Sequence, residues 1–493
     1  MDLSQSIRTS VKWLILDNTG NRVMDFVFGV ILARLLVPAD FGMIVTIQVF
    51  TGIVSMLTSG GMGQALVRAK EADYNDFNAV FTLQLLLGTL IYLGFFLVAP
   101  WFSAFFENPV YEDLLRVSAL SFLMRPFAYM YGSWLNREMD FKSRSIIGII
   151  SGVVTGISSV LMAWTGMGVW SLTLSGLVGG LVRNILLARV TPLSLRLNFD
   201  IATMRRHGIY GSRVLANDIL GNAKNEGLKL ILSKLAGPAF LGLFNKADSL
   251  HRLPYWMFAQ PVAQPVFRAM SKMQDDLDTT KYMFHRVITL LMAYILPFYV
   301  VMWWVAEPFI GVVYGEQWLP AAEPLRILAM AGFFYIIARP CGVLLMAQNR
   351  LIQEMIAQAA ILIFTLGACL IGLNWGLKGV SVSVLVSQVF ATIYFYTLVY
   401  RTIPTRLMEL FRAIAPGLKL NTLLFLVLAF TDSLTGGLRT TDPLLYLLLM
   451  VIPAPLVYLA AFLLLPIPAL QSESVRWRQK ITVGLNLLYK SLT

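Results

Sequence analysis

Residues 13–36 combine an apolar outer half with Asp17, Asn18, Asn21, Arg22 and Asp25 near the start. Asp17, Asn21 and Asp25 fall at i, i+4 and i+8, so on a helix they form one polar stripe. Such a stripe is costly in lipid and survives where it faces a bundle interior or a water-filled cavity. Further cations fall well inside apolar segments: Arg125, Arg213, Lys224, Arg252 and Arg339. A guanidinium in such a place suits a phosphate, which its planar fork meets with two hydrogen bonds. With Arg22, these five are the expected cationic lining of a hydrated or anion-filled cavity. Asp25, Asp218 and Glu226 are the carboxylates placed to bind a coupling proton or sodium ion. Local pairing accounts equally well for several of them: Arg22 with Asp25 or Asp17, and Lys224 with Asp218 or Glu226. Arg125 and Arg339 each precede a proline, and a kinked backbone offers carbonyls that could satisfy them. Arg252 has His251 beside it and no local acid closer than Asp248, which makes it the leading ligand contact. Arg34 and Lys234 are expected to reach the outer headgroups.

The elements that must position these groups are membrane helices. The 493 residues are 57% hydrophobic and 13% charged, against about 25% charged in soluble proteins. The mean hydropathy is +0.70. About fourteen spans are expected, at 13–36, 42–66, 79–103, 114–135, 145–165, 168–189, 208–236, 240–268, 283–306, 324–347, 352–373, 379–400, 416–432 and 443–466. Lys and Arg then fall almost wholly on one side, the other holding little beyond Lys378 and Arg439. This asymmetry places both termini in the cytoplasm. It also explains the net charge of +12 without nucleic acid.

The chain repeats itself. ILARLLVPADFG (31–42) aligns without a gap on ILSKLAGPAFLG (231–242), setting Pro38 on Pro238, Ala39 on Ala239 and Gly42 on Gly242. The polar first helix returns as Asn217, Asp218, Asn222 and Asn225, and Gln64 and Arg68 fall on Gln264 and Arg268. Arg125-Pro126 is echoed by Arg339-Pro340, and LLRVSAL (114–120) by PLRILAM (324–330). Six spans per half relate the halves by an axis along the membrane normal, an arrangement typical of transporters with the site between repeats. The expected domains are an N-lobe (1–200), a C-lobe (201–405), two extra helices (406–470) and an amphipathic tail (471–493) on the cytoplasmic membrane surface. Trp101, Trp303, Trp304 and Trp318 read as interface anchors. The glycine-rich segments 59–63 and 176–180 read as sites of close helix packing.

Catalytic signatures are missing. There is no GxxxxGK[ST] motif, no zinc-spaced His/Cys set, and no outer loop long enough for a catalytic domain, so no enzyme, cofactor or metal is expected. Cys341 and Cys369 lie in apolar segments and suggest no disulfide.

Four segments carry a resemblance: the opening RTSVKWLILDNTGNRVMDFVFGVILARLLVPADFGMIVTI, NREMDFKSRS (136–145), FRAMSKMQDD (267–276) and VVYGEQWLPAAEPLRILA (312–329). Together they resemble Wzx-type polysaccharide flippases of the polysaccharide transporter group in the MOP flippase superfamily, most of all the colanic-acid-exporter-like subgroup. The resemblance implies an all-α integral membrane fold of two six-helix lobes around a central cavity, with two further C-terminal helices. It implies alternating access of an undecaprenyl-diphosphate-linked oligosaccharide, from the cytoplasmic to the periplasmic leaflet of a bacterial inner membrane. The lipid tail would lie in a groove between helices. Arg22 and Arg252 occupy places comparable to basic residues used by related lipid II flippases. Expected partners are the lipid-linked oligosaccharide, membrane lipid, a coupling H+ or Na+, and polysaccharide polymerase or export machinery. The alternative is a cation-coupled multidrug exporter of the same superfamily, which predicts an acidic, aromatic cavity where this one is basic.

Overall fold

The computed structural model describes residues 3–59, 62–68, 73–206, 208 and 226–492, and among them there is helix and no strand. Contacts divide the chain into two compact units, Met1–Gly242 and Leu243–Thr493. Nine stretches of the described residues are long and apolar enough to cross a bilayer, and Leu277–Tyr314 and Leu351–Thr402 each hold more than one helix. The chain is therefore a multi-pass membrane protein. The described residues do not fix the span number at fourteen, because 209–225, within the seventh expected span, lie outside them.

In the first unit α1 (Leu3–Leu35) packs on α7 (Phe141–Trp164), and α7 on α8 (Val169–Val190). The α1–α7 seam closes because Gly156 leaves room for the Phe28 ring, where a β-carbon would collide with it. At Gly179 of α8 a β-carbon would likewise strike Thr155, so the second glycine-rich segment serves close packing there. Between these lie α2 (Pro38–Ser59), α3 (Met62–Arg68), α4 (Tyr74–Phe106), α5 (Val110–Ala119) and α6 (Ser121–Arg137). Asp73 starts α4 with a reciprocal cap: its side chain accepts from Asp76 N at 2.8 Å, and the Asp76 side chain accepts from Asp73 N at 3.3 Å. Asp140 caps α7 by accepting from Ser143 N at 3.0 Å. These caps satisfy amides that a helix start leaves without partners. The expected fourth span, 114–135, is not one helix: it breaks at Leu120 between α5 and α6.

The unit ends on the helix 226–235, α9, and the start of α10 (Gly237–Phe258), where the second copy of the repeated motif lies. Here the two copies meet reciprocally. A β-carbon on Gly42 would lie 2.5 Å from the Pro238 carbonyl carbon, and one on Gly242 would lie 2.8 Å from that of Pro38. Glycine is required in both copies because backbone meets backbone.

The second unit continues through α11 (Gln260–Lys272), α12 (Leu277–Tyr294), α13 (Leu296–Tyr314), α14 (Ala322–Ala347), α15 (Leu351–Gly372) and α16 (Gly376–Thr402). It closes with α17 (Leu407–Thr435), α18 (Leu438–Thr441), α19 (Pro443–Val451), α20 (Pro453–Leu464) and α21 (Gln471–Leu492). Three expected spans are broken: the eighth at Ala259, the ninth at Ile295 and the fourteenth at Ile452. Each break is followed at the first or second helical position by a proline, namely Pro261, Pro297 or Pro453, which cannot donate to the preceding turn. α14 is the most buried of the apolar stretches, with Ile336, Cys341, Leu344 and Leu345 fully enclosed. Its neighbours α12 and α16 complete that core. Lys378 and Arg439, the cations expected on the sparse side, are not alone: they pair with Glu323 and Glu307.

Candidate functional site

Asp248, His251, Arg252 and Tyr255 recur along α10 at intervals of three to four residues, which places them on one face. Tyr299 of α13 and Tyr335 and Arg339 of α14 meet that face. Arg252 Nε donates to both carboxylate oxygens of Asp248 at 2.9 Å. Asp248 and His251 are buried, while 36% of the Arg252 side chain stays accessible. The His251 ring lies 5.3 Å from Tyr299 and 6.1 Å from Tyr335, and Tyr255 meets Tyr335 edge-on at 4.9 Å. The Arg339 guanidinium sits 4.8 Å over the Tyr335 ring, in cation–π contact. Gly332, one turn before Tyr335, lets the Tyr299 ring approach to 2.6 Å from where a β-carbon would stand. His251 Nδ1 and the Tyr299 hydroxyl are buried without a hydrogen-bond partner among the described residues. Among the described residues the cluster thus holds two guanidinium groups, one carboxylate, one imidazole and three tyrosine rings.

In the first unit the sequence-predicted residues are more scattered. Arg22 and Asp25 are both exposed on α1 and within electrostatic reach of each other. Arg125 is half-buried on α6, with its guanidinium 5.1 Å over the Phe122 ring. The two Arg-Pro pairs therefore share a device: each arginine lies over an aromatic ring one turn back on its own helix. Glu226 is committed locally to Lys229, at 3.0 Å, which speaks for ion pairing at that carboxylate. Lys234 pairs with Glu107 at 2.9 Å and donates to the Phe105 carbonyl. Arg213, Asp218 and Lys224, with Asn217, Asn222 and Asn225, lie outside the described residues.

Of the predicted residues, the structure brings Arg252 and Arg339 into one cluster, and Arg22 beside Asp25. It joins Arg125 to neither group by any recorded contact. Sequence reasoning missed Tyr255, Tyr299 and Tyr335. The available signal was spacing alone: Tyr255 follows His251 by four residues, and Tyr335 precedes Arg339 by four. Trp318 requires a correction. It is no interface anchor but fully buried, and with Tyr314 it faces the Lys246 ammonium, 5.0 and 4.6 Å from the two rings. The short 3-10 turn Glu316–Ala321 folds it inward, a tertiary effect that hydropathy does not register. Trp101, by contrast, is 68% exposed, as an anchor should be.

The chain is similar to the lipopolysaccharide biosynthesis protein WzxC of Escherichia coli (strain K12), 22% identical over 358 residues, covering 71% of this chain and 72% of that protein. It is similar to the succinoglycan biosynthesis transport protein ExoT of Rhizobium meliloti (strain 1021), 25% identical over 331 residues, covering 66% of each chain. Its fold resembles that of the lipid II flippase MurJ in an inward closed conformation, with a TM-score of 0.73 at 16% identity over 96% of this chain and 100% of that one. Residues 31–323, more than half of the chain, match the family model described as polysaccharide biosynthesis protein, and the chain belongs to that family.

Proposed function

We propose that this protein is an alternating-access flippase that moves undecaprenyl-diphosphate-linked oligosaccharide repeat units from the cytoplasmic to the periplasmic leaflet. The fold by itself does not choose the cargo. The observation that carries the reading is the surplus of guanidinium groups among apolar helices of a polysaccharide biosynthesis protein. Among the described residues Arg252 and Arg339 share a cluster with one carboxylate, Asp248, and Arg125 has no acidic partner. A diphosphate is the group that such a surplus stabilises. A cationic drug is the group that it repels, which weighs against the multidrug reading although the site is aromatic.

Arg252 and Arg339 would hold the diphosphate, His251 Nδ1 and the Tyr299 hydroxyl would meet its remaining oxygens, and Arg22 and Arg125 would serve charged sugars. Asp248 competes with the cargo for Arg252. Protonation of Asp248 would release the arginine to the diphosphate, and deprotonation would reclaim it. This gives an ion-coupled cycle in which Asp248, more than Asp25, Asp218 or Glu226, is the coupling carboxylate. The chain is then a transporter and no enzyme, set in the inner membrane with both termini cytoplasmic, and it works beside the polymerase that consumes its cargo.

The test is deletion in the parent bacterium followed by analysis of its lipid-linked sugars. Accumulation of an undecaprenyl-diphosphate oligosaccharide on the cytoplasmic leaflet is expected, with rescue by the wild-type chain and not by Arg252→Ala/Arg339→Ala. Unchanged lipid-linked pools and unchanged surface glycan in a strain lacking other flippases would overturn the reading.

A further inference from the structure

A cleft of about 830 Å³ opens in the second unit between the first turns of α12, the first turns of α17 and the turn that leads into α21. It shares no residue with the cluster around Arg252. Lys281, Arg286 and Arg412 line it, with Glu409 as the acid in its wall. Lys281 lies 3.4 Å from Glu409 and 3.8 Å from the exposed Asp278. Arg286 binds Glu473 at 3.1 Å and Ser472 Oγ at 3.0 Å, and donates to the Ala469 carbonyl, so its guanidinium holds the turn before α21. His285 turns Nδ1 to the Lys281 carbonyl at 2.9 Å; a carbonyl can only accept, so Nδ1 carries a proton in that contact. Nε2 lies 3.2 Å from Thr405 Oγ1. Each of these groups is engaged. Arg412 is exposed and has no ion-pair or hydrogen-bond partner among the described residues. It is the uncompensated positive charge of the cleft.

The rim is apolar and turned outward. Tyr282 is 67% exposed and Val475 43%. A single surplus cation set beside exposed apolar side chains at a span terminus fits an amphiphile that carries one negative charge. A free phosphate would use the cation and leave the rim bare. The same end of these helices carries Arg401, Arg406, Arg476, Arg478 and Lys480, the clustering that marks a leaflet rich in anionic lipid.

We propose that this cleft binds the phosphodiester headgroup of an anionic glycerophospholipid, with Arg412 on the phosphate and the acyl chains along Tyr282 and Val475. The bound lipid would join α12, α17 and α21; Arg286 already ties α12 to α21, and Lys281 ties α12 to Glu409 of α17. This makes the protein selective for anionic over zwitterionic lipid at a site apart from its cargo.

The experiment uses the full-length purified chain in phosphatidylcholine nanodiscs, with spin-labelled phosphatidylglycerol as the probe and spin-labelled phosphatidylcholine as its control. The wild-type chain should retain the phosphatidylglycerol label preferentially. Arg412→Ala should weaken that preference about five-fold, the worth of one basic residue at an anionic membrane surface, and Arg412→Lys should keep most of it. Inorganic phosphate should not displace the label. Equal retention of the two lipids, an unchanged preference in Arg412→Ala, or displacement by inorganic phosphate would each overturn the proposal. The last result would make the cleft a site for soluble phosphate. Arg412 is exposed, so its loss leaves the fold intact, and unchanged thermal unfolding of both variants in phosphatidylcholine verifies this.

Discussion

The reciprocal meeting of Pro38 with Gly242 and of Pro238 with Gly42 can be tested by adding one methyl group. An alanine at position 42 places its β-carbon 2.5 Å from the Pro238 carbonyl carbon and 2.9 Å from its Cα. Carbon atoms in contact need about 3.5 Å, and the Pro238 carbonyl oxygen stands nearer still, so the two helix starts must part by more than about 1 Å. Backbone cannot turn aside as a flexible side chain does, which puts the cost near the upper end of the usual overpacking range, about 3 kcal/mol. Alanine returns about 1 kcal/mol of helix propensity over glycine, for a net loss of about 2 kcal/mol. Gly52 lies on the same helix with nothing within 4 Å of its would-be β-carbon, so Gly52→Ala should gain the propensity alone. The two variants should therefore differ by about 3 kcal/mol, or about 3 °C in midpoint for a chain of this length that unfolds as one unit. The measurement is thermal unfolding of both variants in one detergent, followed by tryptophan fluorescence. Gly242→Ala should resemble Gly42→Ala. The double variant should lose less than the sum, because one separation accommodates both methyl groups. Equal midpoints for Gly42→Ala and Gly52→Ala would refute the close approach, and strict additivity in the double variant would refute its reciprocity.

Two further outcomes follow from single contacts. Asp248→Asn removes the charge that engages Arg252 Nε, so undecaprenyl diphosphate should bind the purified variant more tightly while export in the deletion strain falls; weaker binding would show that Asp248 is no competitor for the cargo. Asp276 caps α12 by accepting from Thr279 N at 3.0 Å and Thr279 Oγ1 at 2.6 Å, and these two bonds hold its carboxyl below the usual range. A carboxyl lowered by folding contributes stability above its unfolded value of about 4 and loses it as pH falls through the folded value. The deficit of Asp276→Ala in thermal midpoint should therefore be present at neutral pH and shrink in acid, and a deficit independent of pH would show that the cap acts through shape alone.

The sequence by itself determined the class of this protein. A charged fraction of 13% in a chain of 57% hydrophobic residues leaves no solution but apolar helices in a bilayer. The ungapped match of 31–42 to 231–242 was legible because both copies meet the same steric demand, glycine where backbone meets backbone. The breaks at Ala259, Ile295 and Ile452 fall within spans that the sequence presented as continuous, because proline also sits inside unbroken helices, as Pro254 and Pro308 do. Part of the site was legible all the same. Asp248 stands four residues before Arg252, so helical geometry alone makes them neighbours. Only the tertiary structure decided the rest. It brought Tyr299 from α13 and Tyr335 from α14 onto α10, and it buried Trp318 against Lys246. It set Arg286 of α12 against Ser472 and Glu473 of the tail, nearly two hundred residues later in the chain. Periodicity tells which residues share a face of one helix. Which helix covers that face depends on how side-chain volumes interlock across the whole bundle, and no local pattern in the sequence carries that information.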